Sequence, residues 1–265
     1  VTPGLRPVLF FLGGLYLLLA GLGGVLQWMF GEVGLALIQL GLLLIPALLF
    51  VSVGGFDPIE TLSLRRPRPG AVPAALILMA GAIPLAWFLA WAQSQFIEVP
   101  TELFEAMSAF LQADGLGRFL WLLLLVALLP AVAEEVVFRG VVLSALRPHV
   151  ARTPAILLNG LLFGLFHWSP QTAFRFLPTA WLGVILAWVV WETRSIWVGV
   201  LLHFLNNALV VTLSVLPATQ EWASDADRPP PLWVFPLAVA LLALGGVYLA
   251  RPRNTEAAGA PSPET

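Results

Sequence analysis

The chain has 265 residues, of which 59% are apolar and only 11% charged, with a formal net charge of −2. Soluble domains carry roughly 25% charged residues, so this chain is too poor in charge to cover a water-facing surface and reads as an integral membrane protein. It contains neither cysteine nor lysine. That excludes disulfides, thiolate nucleophiles and Schiff-base or P-loop lysines, and the lack of a basic patch gives no reason to expect nucleic acid as a partner.

A spanning helix needs ~20 mostly apolar residues. Eight stretches qualify, at about 7–29, 33–54, 71–93, 119–146, 154–168, 174–191, 195–216 and 231–250. The first has no convincing cleavage site and reads as a span, not a removed signal peptide. The expected fold is an all-α polytopic membrane helix bundle of about eight transmembrane helices, with kinks at Pro130 and Pro178. By region, residues 1–60 hold two helices, 61–216 a core of five, 217–253 an outer loop and the last helix, and 254–265 a disordered tail rich in Ala, Pro, Gly and Glu. Between spans, residues 96–117 read as an interfacial amphipathic segment, with Phe104, Met107, Phe110 and Leu111 at helical spacing.

The connecting segments sort by charge. Arg6, Arg65, Arg66, Arg68, Arg147, Arg152, Arg194, Arg251 and Arg253 fall on one side; Arg118, Arg175 and Arg228 fall on the other, among acids such as Glu32, Glu98, Asp114 and Glu221. The excess of arginine places the first side, and both termini, in the cytoplasm. The expected localisation is a multi-pass protein of a prokaryotic plasma membrane.

Within the spans the strongly polar residues are few: Gln39, Glu134, Glu135, Arg139, Asn159, His167, His203, Asn206 and Asn207. Charged groups inside a bilayer cost at least ~2.5–3.5 kcal/mol on insertion scales and mark function by default. Residues four apart share a helix face, so Glu135 and Arg139 can pair and leave Glu134 to face a cavity. By the same rule Phe163 and His167 share a face, as do His203 and Asn207, and Asn159 lies on the side of His167. Counted from the turn at residues 146–154, Glu134 and His167 both lie roughly 18–20 Å deep at ~1.5 Å per residue. A polar site open to the cytoplasm follows from that level. Alone, Asn159, Asn206 and Gln39 read as interhelical hydrogen-bonding groups, and Gly160-x-x-x-Gly164 as a packing surface.

A carboxylate and an imidazole in an apolar cavity can activate water, and a His–Asn pair can donate to an oxyanion, which together amount to acyl-bond hydrolysis. The same Glu134, His167 and His203 also make a usual Zn²⁺ ligand set, although no H-E-x-x-H helix is present. Two rivals fit the residues as well: a non-catalytic protein that binds a peptide or bacteriocin, and a proton-coupled transporter. The lack of an internal repeat counts against the transporter.

Glu-Glu-x-x-x-Arg (Glu134, Glu135, Arg139), Phe-x-x-x-His (Phe163, His167) and His-x-x-x-Asn (His203, Asn207), in this order on three helices, resemble the CPBP family. That family includes type II CAAX prenyl endopeptidases and bacteriocin-processing or self-immunity relatives. The connector Leu62-Ser63-Leu64-Arg65-Arg66-Pro67 resembles the one before the family's core, and the resemblance spans about Thr61 to Val215. It implies an eight-helix intramembrane endopeptidase in which Glu134 and His167 activate water, His203 and Asn207 hold the oxyanion, and Glu135 and Arg139 support them. Family members are described both as metalloproteases and as glutamate-dependent proteases. The favoured expectation is that no cofactor is required; a Zn²⁺ ion would take Glu134, His167 and His203. The implied partners are the bilayer and a peptide or membrane-protein substrate, with C-terminally lipidated substrates among those considered.

Overall fold

The computed structural model describes residues 1–216 and 228–250. The expected disordered tail, the outer-loop acids Glu221, Asp225 and Asp227, and Arg251 and Arg253 lie outside the described residues. Those described are helical and include no strand; Leu64 and Ser195 form an isolated bridge.

Five helices are long and apolar enough to cross a membrane: Leu5–Val53, Ala71–Ser94, Leu116–Leu146, Ala173–Thr193 and Ile196–Val215. Two shorter apolar helices run over Arg152–Phe166 and Val234–Leu249. The first of the five has 49 residues and folds double at Gly31, whose φ of 54° lies in the left-handed region that a Cβ disfavours. Phe11 then stacks on Phe50 across the two arms, with ring centroids 4.5 Å apart. Helix therefore stands at each of the predicted stretches, while five segments meet the length criterion on their own. The expected interfacial segment holds a helix over Thr101–Phe110.

Among the described residues, prolines account for two of the four π-wound stretches. Pro46 and Pro130 each follow a π-wound stretch, Ile38–Leu44 and Leu123–Leu128. A proline lacks an N–H and its ring meets the carbonyl four residues back, and a wider turn relieves both problems. Pro178 sits in the first turn of the helix Phe176–Thr193. An N–H is unpaired there in any case, so no kink is needed at that point.

Contacts at the two ends preserve the up-and-down course. At one end the Asp57 N–H donates to the Val1 carbonyl at 3.0 Å and Arg147 Nη2 to the Val190 carbonyl at 3.0 Å. Arg152 pairs with Glu192 at 2.5 Å, and Arg68 caps the last helix through the carbonyls of Tyr248 and Leu249. At the opposite end Arg118 pairs with Glu32 at 2.7 Å, and the Gln93 side chain donates to the Ala173 carbonyl at 2.7 Å. The arginine-rich connectors thus gather at one end.

Candidate active site

The site is built on the helix Leu116–Leu146. Its Glu134 and Glu135 close one α-helical turn segment, and the following stretch Val136–Val142 is π-wound. Glu135 and Arg139 are both fully buried and pair at 3.0 Å. Arg139 also donates to the Gly183 carbonyl at 3.0 Å and lies 4.4 Å above the Phe163 ring. Burial of two charges is tolerable only with such partners, because either ion alone would be left uncompensated.

Three side chains converge beside that pair. His167 Nε2 stands 3.3 Å from Glu134 Oε2, and His203 Nε2 stands 3.8 Å from the same oxygen. The expected common depth of Glu134 and His167 holds, and His203 joins them from a third helix. Each imidazole is oriented through its other nitrogen. His167 Nδ1 lies 2.8 Å from the Phe163 carbonyl, an acceptor only, so Nδ1 carries the hydrogen. His203 Nδ1 lies 3.0 Å from Glu135 Oε1, which the Arg139 pairing keeps an acceptor, so here too Nδ1–H is the donor. Both Nε2 atoms therefore face Glu134 Oε2, which is buried and accepts no hydrogen bond from the protein.

Close backbone approach makes this possible. A Cβ on Gly199 would stand 2.7 Å from Glu135 Oε2, so the glycine lets the helix Ile196–Val215 come up against that carboxylate. On the neighbouring pair, a Cβ on Gly164 would meet Ala180 Cβ at 2.7 Å, and one on Gly160 the Val184 nitrogen at 2.5 Å. The Gly160-x-x-x-Gly164 surface thus packs helix against helix, as its spacing predicts.

Other predicted residues fall into place differently. Asn159 is fully buried and donates to the Phe138 carbonyl at 2.8 Å, pinning the π-wound stretch. Phe163 is buried beneath the imidazoles, its ring centroid 4.6 Å from that of His167 and 5.8 Å from that of His203. Asn207 is partly buried; its amide donates to the Val126 carbonyl at 3.5 Å and accepts from Asn206 at 3.2 Å. Gln39, read from sequence as a lone interhelical amide, reaches Glu134 Oε1 with its Nε2 at 3.4 Å. It brings the N-terminal hairpin to the site. The only signal for it was that a single amide in an apolar arm needs a partner.

Toward the arginine-rich end the helix that carries Glu134 is enclosed by its neighbours. Every residue from 133 to 146, on that side of Glu134, is buried. The most exposed of the three converging groups is His167, its side chain 30% exposed. It follows the last residue of the helix Arg152–Phe166, at the end away from the arginine-rich turn.

Glu134, His167 and His203 match a zinc ligand set in kind. Each Nε2 stands 3.3 or 3.8 Å from Glu134 Oε2, close to the separation of donors around one tetrahedral ion with bonds of ~2.0–2.1 Å, so these three residues could hold a zinc ion.

Fold and centre together define a helical, multi-pass membrane protein with an acid–base constellation enclosed among its helices. Residues 116–209 match the family model described as Type II CAAX prenyl endopeptidase Rce1-like. That interval holds all three motifs, and the resemblance to CPBP-family membrane proteases stands. No curated protein and no solved structure matches the chain.

Proposed function

We propose that the protein is an intramembrane endopeptidase that hydrolyses a peptide bond with water activated by Glu134 and His167. The observation that carries this reading is the convergence of His167 Nε2 and His203 Nε2 on Glu134 Oε2 at 3.3 and 3.8 Å. A water between Glu134 Oε2 and His167 Nε2 can donate to both and turn an oxygen lone pair to the scissile carbonyl. Glu134 takes a proton as the oxygen attacks, and the proton then passes to the leaving amine. General-base assistance of this kind contributes typically ~10²–10⁴-fold.

His203 and Asn207, four residues apart on one face, are the oxyanion donors in this reading. His203 donates from Nε2 as an imidazolium, with the Glu135 carboxylate 3.0 Å from its Nδ1 to balance the charge. Asn207 turns its amide from Val126 to the tetrahedral oxygen. Arg139 holds Glu135 in place. A zinc ion at Glu134, His167 and His203 would instead supply a Lewis acid and a bound hydroxide; no step above needs it. In this reading the arginine bias sets both termini in the cytoplasm, and the membrane is taken to be a prokaryotic plasma membrane.

The test is a comparison of new protein termini in membranes that carry the wild type or Glu134→Ala. Termini that appear only with the wild type are expected and would name the substrate. Identical sets would overturn the reading and leave a peptide-binding role.

A further inference from the structure

We infer that Thr172 is a positioning residue that acts through His167: its hydroxyl holds the stretch of backbone from which that imidazole reaches Glu134. The catalytic consequence rests on the protease reading above, while the placement of the ring stands apart from it.

His167 occupies an insecure place in the chain. It follows the last residue of the helix Arg152–Phe166, and its N–H donates only three residues back, to the Gly164 carbonyl at 3.1 Å. One more α-helical bond would have sent that N–H to the Phe163 carbonyl. The imidazole takes the place of the missing donor, with Nδ1 2.8 Å from the Phe163 oxygen. Helix ends leave such carbonyls without donors and fray. The ring is therefore held only as firmly as the last turn, unless something beyond the helix ties the backbone down.

Thr172 is that tie. Its Oγ1 donates to the His167 carbonyl at 2.8 Å. A hydroxyl has one hydrogen and two acceptor sites, so its other two contacts are accepted, from the Ser169 N–H at 3.0 Å and the Ser169 hydroxyl at 2.9 Å. The Thr172 N–H closes the loop on Ser169, 3.2 Å from Oγ and 3.1 Å from the carbonyl. Every hydrogen-bonding site of the Thr172 hydroxyl is used, which fixes its rotation.

A different helix braces the segment that follows. From Ala71–Ser94, the Gln93 side chain donates to the Ala173 carbonyl at 2.7 Å and accepts the Leu177 N–H at 2.8 Å, and Gln93 is itself only 6% exposed. Thr172 thus links a braced segment to the residue whose Nε2 stands 3.3 Å from Glu134 Oε2. His203 has no need of this support. It lies inside the helix Ile196–Val215 and is oriented by Glu135, so it serves as the internal control.

The chain has three histidines, His149, His167 and His203. Full-length protein labelled with nitrogen-15 in its histidine rings therefore gives few signals, and His167→Ala and His203→Ala assign them. In Thr172→Val, which keeps the shape and removes the hydroxyl, the His167 ring signals should shift or broaden while those of His203 stay in place. Thr172→Ser restores a hydroxyl and should return the His167 signals to their wild-type positions. On a peptide found by comparing termini in membranes with the wild type and with Glu134→Ala, Thr172→Val should lower kcat about 10- to 100-fold with KM close to the wild-type value, the scale for a reacting group displaced by up to ~1 Å. Thr172→Ser should recover most of that loss. Unmoved His167 signals or an unaltered kcat in Thr172→Val would overturn the inference, as would a serine variant that behaves like the valine one. Signals of His167 and His203 disturbed together would overturn it too, because Thr172 would then support the bundle as a whole. Without any Glu134-dependent termini the protease reading fails, and the ring signals still decide whether Thr172 positions His167.

Discussion

His203 Nδ1 and Arg139 Nη1 both stand 3.0 Å from one oxygen, Glu135 Oε1. Glu135 is therefore more than the counter-ion of Arg139. It orients the imidazole whose other nitrogen faces Glu134, and so couples the buried ion pair to the candidate catalytic centre.

That coupling separates two variants. Glu135→Ala leaves Arg139 buried without its carboxylate, which should destabilise the protein by about 3–5 kcal/mol. His203→Ala leaves the ion pair whole and should unfold close to the wild type while losing cleavage. Thermal unfolding in detergent, read beside a cleavage assay, checks both. Equal stability losses would mean that the pair and the imidazole are not arranged as described.

Gly199→Ala should harm the site through Glu135. The added Cβ would lie 2.7 Å from Glu135 Oε2 and 2.7 Å from Val190 Cγ2. A flexible carboxylate could swing away, but this one is held by Arg139 and His203. The expected loss is about 1–3 kcal/mol of stability from overpacking, with cleavage reduced as His203 shifts. Gly13→Ala, where nothing lies within 4 Å of the new Cβ, is the control and should leave both properties at the parent level.

Gln39→Leu asks whether the N-terminal hairpin belongs to the site. The hydrogen bond to Glu134 is long at 3.4 Å, so its loss should slow cleavage only about two- to tenfold, in keeping with a net ~0.5–1.5 kcal/mol for one such bond. Gln39→Glu, which sets a second carboxylate against Glu134, should slow it further. Rates measured on a peptide found by the terminus comparison decide the matter; unaltered rates in both variants would return Gln39 to a packing role.

Cleavage by the purified protein should survive a chelator, with elemental analysis finding less than one zinc per chain. Activity lost to the chelator and restored by Zn²⁺ would replace the glutamate mechanism with the metal version.

Much of the fold was legible because the bilayer imposes it. Backbone polar groups in hydrocarbon must be paired within a helix, so long apolar stretches announce spans and arginine bias announces their sides. The N-terminal pair was legible as two spans but not as one helix folded at Gly31, because the sharp bend depends on a single backbone torsion. The Arg152–Phe166 helix was read two residues late at each end, as 154–168, because helix ends are set by local caps and not by apolar composition.

At the site itself, periodicity sufficed for Glu135 with Arg139, since a four-residue separation sets both on one helical face before any tertiary contact forms. Spacing also brought Glu134 and His167 to one level, since rise per residue is constant along a helix. Which nitrogen of His203 meets which carboxylate and the arrival of Gln39 both depend on rotations and offsets between helices far apart in the chain. Those are set by small residues such as Gly199, Gly160 and Gly164 and by the packing of many side chains at once. Composition and spacing therefore determined the class of protein and most of its polar centre; only the packed bundle decided that one oxygen of Glu135 is shared by Arg139 and His203 and that Gln39 reaches Glu134.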